Sequence, residues 1–169
     1  MAKTIFITGG RRSGKSNYAK NLALRKTDVP VFLATSRVWD EDHKERIEKH
    51  RLDRSDNWTT IEEEKYLSKH QFNGQTVVMD CVTLWLTNFF YDNSNDIDTS
   101  YEQVKSELDA LSKQEAEFII VSNEIGMGGH PDNMVQMKFA DLQGWVNQYI
   151  AEMADEAYLL VSGLPLKIK

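Results

Sequence analysis

Residues 9 to 16 read GGRRSGKS, directly after the β-rich apolar run TIFIT and directly before a stretch with helical spacing. The pattern G-x-x-x-x-G-K-[ST] in that setting constrains the fold more than any other feature of the chain. Glycines let such a loop turn its backbone N–H groups inward around phosphate oxygens, and a helix starting there adds the positive end of its dipole. Lys15 is then placed to reach the β- and γ-phosphates of a nucleotide, and the Ser16 hydroxyl to ligate Mg²⁺. Gly9, Gly10, Arg11, Arg12, Ser13 and Gly14 supply the rest of the cradle. An ordinary glycine-rich βα turn is the alternative, but strand, loop and helix agree on the phosphate reading.

Short apolar runs recur behind this loop: VPVFLAT near residue 30, TVVMD at 76 to 80, FIIVSN at 118 to 123 and AYLLVSG at 157 to 163. Apolar residues on consecutive positions mark strands covered on both faces, as in a parallel sheet. Helical patterns fall between them. Residues 16 to 26 carry Tyr18, Ala19, Leu22 and Ala23, and Ser100 with Gln103 suggests a capping box for a helix through Leu108 and Leu111. From Pro131 to about Met153, Val135, Phe139, Leu142, Val146, Ile150 and Met153 recur every three or four residues, the mark of a core-facing helix. Residues 92 to 99 read as a polar surface loop, and LLVSGLPLKIK as a turn at Gly163 to Pro165 followed by a short edge strand.

The expected fold is therefore α/β and P-loop NTPase-like: a mainly parallel central sheet with helices on both faces and a short C-terminal edge hairpin. A length of 169 residues suits a single domain, 1–169, around one core. Asp80, ending the strand VVMD, is the expected second acid for the metal; a buried carboxylate satisfied by backbone donors is the alternative.

Twenty Lys and Arg against 26 Asp and Glu leave a net charge of −6, which provides no basic field for nucleic acid. The one cysteine, Cys81, lies in an apolar run and reads as a buried small hydrophobe in a reducing compartment. Neither a signal peptide nor a transmembrane segment is recognisable, and a cytoplasmic location is the expectation.

Against that acidic background RIEKHRLDR, residues 46 to 54, gathers Arg46, Lys49, Arg51 and Arg54 around His50. A neutral imidazole is a competent nucleophile, and neighbouring guanidinium groups stabilise charge on an attacked phosphorus while holding the imidazole unprotonated. Taken alone, the run reads first as a solvated charged helix with a surface histidine, since charge runs are usually solvated faces. His43 and His50 have no third ligand in view, which leaves a zinc site unsupported.

Beyond those residues, HRLDRSDNWTTIE, at 50 to 62, resembles the H-R-x-x-R-P-x-x-W-x-T-x-E signature of the bifunctional adenosylcobinamide kinase and adenosylcobinamide-phosphate guanylyltransferase family of cobalamin biosynthesis. The resemblance extends through GGRRSGKS, FLATS, DCVTLWLTN, VSNEIGMG and GWVNQYIAEMADEAYLLVSG. It implies two reactions. A nucleoside triphosphate, ATP or GTP, phosphorylates adenosylcobinamide; GMP from GTP then passes through a guanylylated histidine, here His50, to adenosylcobinamide phosphate with release of pyrophosphate. It also implies nucleotide contacts at Gly9 through Ser16, at Thr35, Ser36 and Arg37, at Arg51, Leu52, Asp53 and Arg54, at Glu62 and at Asp80, with Mg²⁺ held at Ser16 and Asp80. A carboxylate such as Glu62 suits guanine, which presents N1–H and N2–H donors that adenine lacks. A homotrimer is implied too.

The chain departs from the family pattern at Ser55, where proline is common, at Met137 and Ala140, where many members carry arginine, and at GGHP, 128 to 131, where GIVP is usual. His130 reads as a loop histidine or as a substitute cation. Trp39, Trp85 and Trp145 are left without a role. A single-activity P-loop small-molecule kinase and a non-catalytic GTP-binding module are the competing functions; neither needs the HRLDR…W…E constellation.

Overall fold

The computed structural model describes residues 1–38 and 57–169. Seven strands form one sheet in the order β3-β2-β4-β5-β1-β6-β7. They are β1 (Lys3–Gly9), β2 (Val31–Ala34), β3 (Thr59–Glu62), β4 (Thr76–Asp80), β5 (Glu117–Val121), β6 (Glu156–Val161) and β7 (Leu164–Lys167). The first six pair in parallel, β1 with β5 from Lys3↔Glu117 to Ile7↔Val121, and only β6 and β7 pair antiparallel. This is the expected parallel sheet with a C-terminal edge hairpin.

Alternation along the strands divides the apolar residues between two layers, because successive side chains point to opposite faces. Ile5, Ile7, Val78, Ile119 and Val121 pack with Ala19 and Ala23 of helix α1 (Lys15–Leu24). Those two alanines, one helical turn apart and fully buried, bring α1 close to the sheet. Phe6, Val77, Met79, Phe118 and Ile120 face the other way, into the larger core beneath α2 (Val82–Asp92), α3 (Ile97–Ser112) and α4 (Met134–Met153). Helices therefore cover both faces.

Three expectations need correction. The segment 92 to 99 is not a continuous loop: α2 runs through Asp92, and α3 begins at Ile97. Ser100 does not cap that helix either, since Asp96 takes the role by accepting from the Thr99 N–H at 2.8 Å. Ser100 and Gln103 instead both accept from the Asn93 side chain, at 3.1 and 3.0 Å, and bind the end of α2 to the start of α3. The turn before β7 falls at Ser162 and Gly163, both with positive φ, and Pro165 lies within the strand. Its place there is tolerated because β7 is an edge.

The α4 helix starts at Met134, with Asn133 as the cap that accepts from the Gln136 N–H at 2.9 Å. Its apolar stripe is buried at Leu142, Val146 and Ile150, but Val135 remains 48% exposed. Residues 134 to 138, the start of α4, are all exposed. Among the described residues no helix is long and apolar enough to cross a membrane.

Candidate active site

Because six strands run parallel, the residues after β1, β2, β4 and β5 emerge at one end of the sheet, where ligands bind in open α/β folds. The phosphate loop leaves β1 there. Gly9 has φ +152°, and a Cβ would stand 2.5 Å from the Leu160 carbonyl oxygen and 2.9 Å from Ser13 Oγ. Gly14, with φ +93°, starts α1 and passes so close to the β6–β7 turn that a Cβ would lie 3.0 Å from the Gly163 Cα. The Gly163 N–H donates to the Ser13 carbonyl at 2.8 Å. The loop is thus backed by the C-terminal hairpin, a contact between residues far apart in the chain that motif spacing does not reveal.

Within the loop Lys15 is buried, its ammonium donating to the Gly10 carbonyl at 2.5 Å and facing Ser13 Oγ at 3.4 Å. Burial lowers its pKa from the ordinary 10.5, with Cys81 and Asp80 pulling it partly back. Arg11 and Arg12 are exposed on the same loop, Arg12 with φ 55°, and Ser16 is half-buried in the first turn of α1. Asp80 ends β4, opposite Val121 of β5 and Ala34 of β2. Lys15, Ser16 and Asp80 are therefore gathered at one place by the first and central strands.

Other anticipated contacts have structural partners of their own. Thr35 is fully buried and donates from Oγ1 to the Cys81 carbonyl at 2.9 Å, while its own carbonyl accepts from Asn88 Nδ2 at 2.8 Å. Ser36 Oγ donates to the Arg37 carbonyl at 3.3 Å. The Arg37 guanidinium donates to Glu64 at 2.7 Å and, with both terminal nitrogens, to the two oxygens of Asp92 at 2.9 and 3.1 Å. Those carboxylates raise the Arg37 pKa further, and Arg37 in turn holds Asp92 down at about 2, helped by Lys65, which donates to Asp92 at 3.1 Å. Glu62 is exposed at the end of β3. His50, Arg51, Leu52, Asp53 and Arg54 lie outside the described residues, as do His43, Arg46 and Lys49. Cys81 is buried, as expected of a small hydrophobe, and its thiol is pushed up to about 12 by burial, which keeps it protonated and unreactive.

The segment after β5 takes a larger part than its sequence announces. The Ser122 hydroxyl is fully buried, accepting from Gln143 Nε2 and donating to Asn147 Oδ1, both at 2.7 Å, so α4 fixes the end of this strand. The Asn123 N–H donates to Thr83 Oγ1 of α2 at 3.2 Å, and the Glu124 N–H to the Gly9 carbonyl at 2.9 Å. Only the polar run SNE after an apolar strand could have signalled this.

A metal at this site would have one hydroxyl, Ser16, and one carboxylate, Asp80, with nucleotide phosphates and water completing its shell. All are hard oxygen donors, which fits Mg²⁺. The described residues contain no cluster of three or more His, Cys, Asp or Glu able to hold a metal by themselves, and a cation bound largely through a nucleotide needs none.

Comparison with known proteins gives the site its context. The family described as "Cobinamide kinase / cobinamide phosphate guanyltransferase" matches residues 5–168. The chain is 35% identical over 180 aligned positions to the bifunctional adenosylcobalamin biosynthesis protein CobU of Escherichia coli K12, covering 98% of this chain and 99% of that protein. It is 34% identical to the bifunctional adenosylcobalamin biosynthesis protein CobP of Pseudomonas aeruginosa, over 96% of this chain and 95% of that one. A solved structure, the flagellar accessory protein FlaH of Methanocaldococcus jannaschii, aligns with a TM-score of 0.47 at 15% identity, covering 99% of this chain and 78% of that one. With a family match from residue 5 to residue 168 over a sheet that gathers Lys15, Ser16 and Asp80, the chain belongs to the cobinamide kinase/cobinamide phosphate guanyltransferase family.

Proposed function

We propose that this chain, as a single unit of residues 1–169, phosphorylates adenosylcobinamide and then guanylylates the product, releasing pyrophosphate. The observation that carries the reading is the convergence of Lys15, Ser16 and Asp80 at the strand ends, beside the Thr35–Arg37 segment that leads into the histidine-bearing stretch. In the first reaction the loop N–H groups and the α1 N-terminus hold the triphosphate, and Lys15 exchanges its contacts with Gly10 and Ser13 for phosphate oxygens. The acceptor hydroxyl attacks the γ-phosphorus, the bond to the β-phosphate oxygen breaks, and the hydroxyl proton leaves to solvent or a nearby base. Mg²⁺ held by Ser16 and Asp80 would spread the negative charge of the phosphates.

In the second reaction the neutral imidazole of His50 attacks the α-phosphorus of GTP, forming a phosphorus–nitrogen bond as pyrophosphate leaves. Arg51 and Arg54 neutralise the phosphates, with Leu52 and Asp53 in the same contact run and Glu62 accepting from guanine N1–H and N2–H. A phosphate oxygen of adenosylcobinamide phosphate then displaces the imidazole, giving adenosylcobinamide-GDP. Thr35, Ser36 and Arg37 are assigned to the nucleotide side, Arg37 by exchange of its present carboxylate partners. We also assign the protein to the cytoplasm and to a homotrimer. The exposed apolar edge of β7 supports an assembly.

The test is incubation of the pure protein with Mg²⁺ and GTP labelled on the α-phosphorus, then denaturation and mass determination, with His50→Ala in parallel. An acid-labile GMP adduct on the wild type, absent from the variant, is the expected result. An intact, GTP-binding protein without adduct would leave the kinase-only reading in its place.

A further inference from the structure

A groove of about 640 Å³ lies between the second half of α2 and the first turns of α4. Its floor is an aromatic pair, Phe90 against Phe139, with centroids 5.5 Å apart and planes at 64°. Tyr91, Ile125 and Val135 form apolar walls, and all three are exposed. Among the described residues the polar lining is neutral amide and hydroxyl, with Asn95, Gln136 and Thr87, and His130 adds an imidazole. Both departures from the family pattern that face this region, Ala140 and the GGHP turn, line it.

Two of the segments that line the groove lead back to the nucleotide side. The loop that forms one rim begins at Glu124, whose N–H is bonded to Gly9 of the phosphate loop. The helix that forms the opposite rim begins beside Asp80, and Thr83 in its first turn holds the Asn123 N–H. An occupant of the groove is therefore positioned by the same two segments that frame the phosphates.

We propose that this groove receives the corrin macrocycle of the acceptor, with its aminopropanol arm extending toward the phosphate loop. The assignment rests on the corrinoid reading given above. A corrinoid presents methyl-bearing ring edges and a periphery of uncharged amides. The first match an aromatic and aliphatic floor, the second Asn95, Gln136 and the backbone of Gly128 and Gly129. A volume of about 640 Å³ falls within the roughly 300–1,000 Å³ of small-molecule sites. Its open side accommodates a ligand too large to be enclosed. The phosphoryl end belongs at the loop, where Lys15 and the backbone N–H groups gather, and the ring in the groove, where the described lining is mainly apolar.

Two substitutions on the α4 wall test this: Ala140→Phe fills the groove, and Val135→Asp places a charge on an exposed first-turn position that a helix N-terminus tolerates. Equilibrium dialysis with cobinamide, read by its visible absorbance, is run on both variants and the wild type, with GTP affinity measured on the same preparations to show that each is folded. The expected result is a cobinamide Kd raised at least about tenfold in both, or about 1.4 kcal/mol. Unchanged Kd values in variants that bind GTP would overturn the groove assignment alone. No cobinamide binding by a GTP-binding wild type would overturn the corrinoid reading and the groove together. A change of sedimenting mass with unchanged cobinamide affinity would make this surface a contact between copies and also overturn the proposal.

Discussion

Lys15 is asked to carry a charge into a site that resists it. Burial disfavours its ammonium, which faces the Gly10 carbonyl and the Ser13 hydroxyl. Replacing a buried charge with an apolar residue of similar length is often neutral or stabilising, whereas removing a donor aimed at transition-state charge costs about 10²–10³ in rate. Lys15→Met is therefore expected to lower phosphorylation of cobinamide by at least about 10²-fold while the melting temperature stays level or rises. A coupled kinase assay and a thermal melt on one preparation check both halves; a marked fall in melting temperature would mean that the lysine holds the loop together. Residues of this kind were legible in the sequence because the loop chemistry is local, eight consecutive positions between a strand and a helix. Thr35 and Arg37 were less so. Their partners, Cys81, Asn88, Glu64 and Asp92, come from other elements and are brought together only by the sheet order.

Among the elements, the strongest strands and α1 follow from apolar runs and turn residues, and the sequence showed them within a residue or two. The strand β3 escaped notice because TTIE is four residues long and half exposed, so neither alternation nor a buried run marks it. The helix α2 escaped because VTLWLTNFFYD buries residues around most of its circumference, and a short apolar run does not distinguish helix from strand. Its C-terminal Asp92 then acquires a role that no periodicity encodes, joining α2 to the segments after β2 and β3 through Arg37 and Lys65. The Asp92 carboxyl is held down from the ordinary 3.8 to about 2, chiefly by its hydrogen bonds to Arg37. A folded-state pKa below the unfolded one means that the contribution to stability is present above about 3.8 and is lost as the pH falls toward 2. Asp92→Asn should accordingly lower the melting temperature by up to about 3 °C near neutral pH and by much less near pH 2. A pH series of melts decides it; an equal difference at both ends would rule out titration of this pair as the cause.

For the molecule as a whole, the parallel sheet and the position of the site at its strand ends were readable in advance, since alternating strands and helices leave few topologies. A surface for the proposed association of copies was not. Leu164, Leu166 and Ile168 project from one side of the edge hairpin, exposed by 72%, 58% and 57%, and a flat apolar edge of this kind needs covering. For the proposed trimer, Leu166→Lys is expected to reduce the mass in sedimentation equilibrium to that of a monomer, with little change in the secondary structure seen by circular dichroism. A trimer that persists in the variant would place the contact elsewhere. The same hairpin presses its turn against the phosphate loop, glycine to glycine at Gly14 and Gly163. In evolutionary terms that contact ties one position of the cradle to a distant hairpin: a Cβ at Gly14 would stand 3.0 Å from the Gly163 Cα. Gly14 cannot acquire a side chain while the hairpin backbone stays in place, so a lineage that changes its nucleotide cradle there must also move its hairpin.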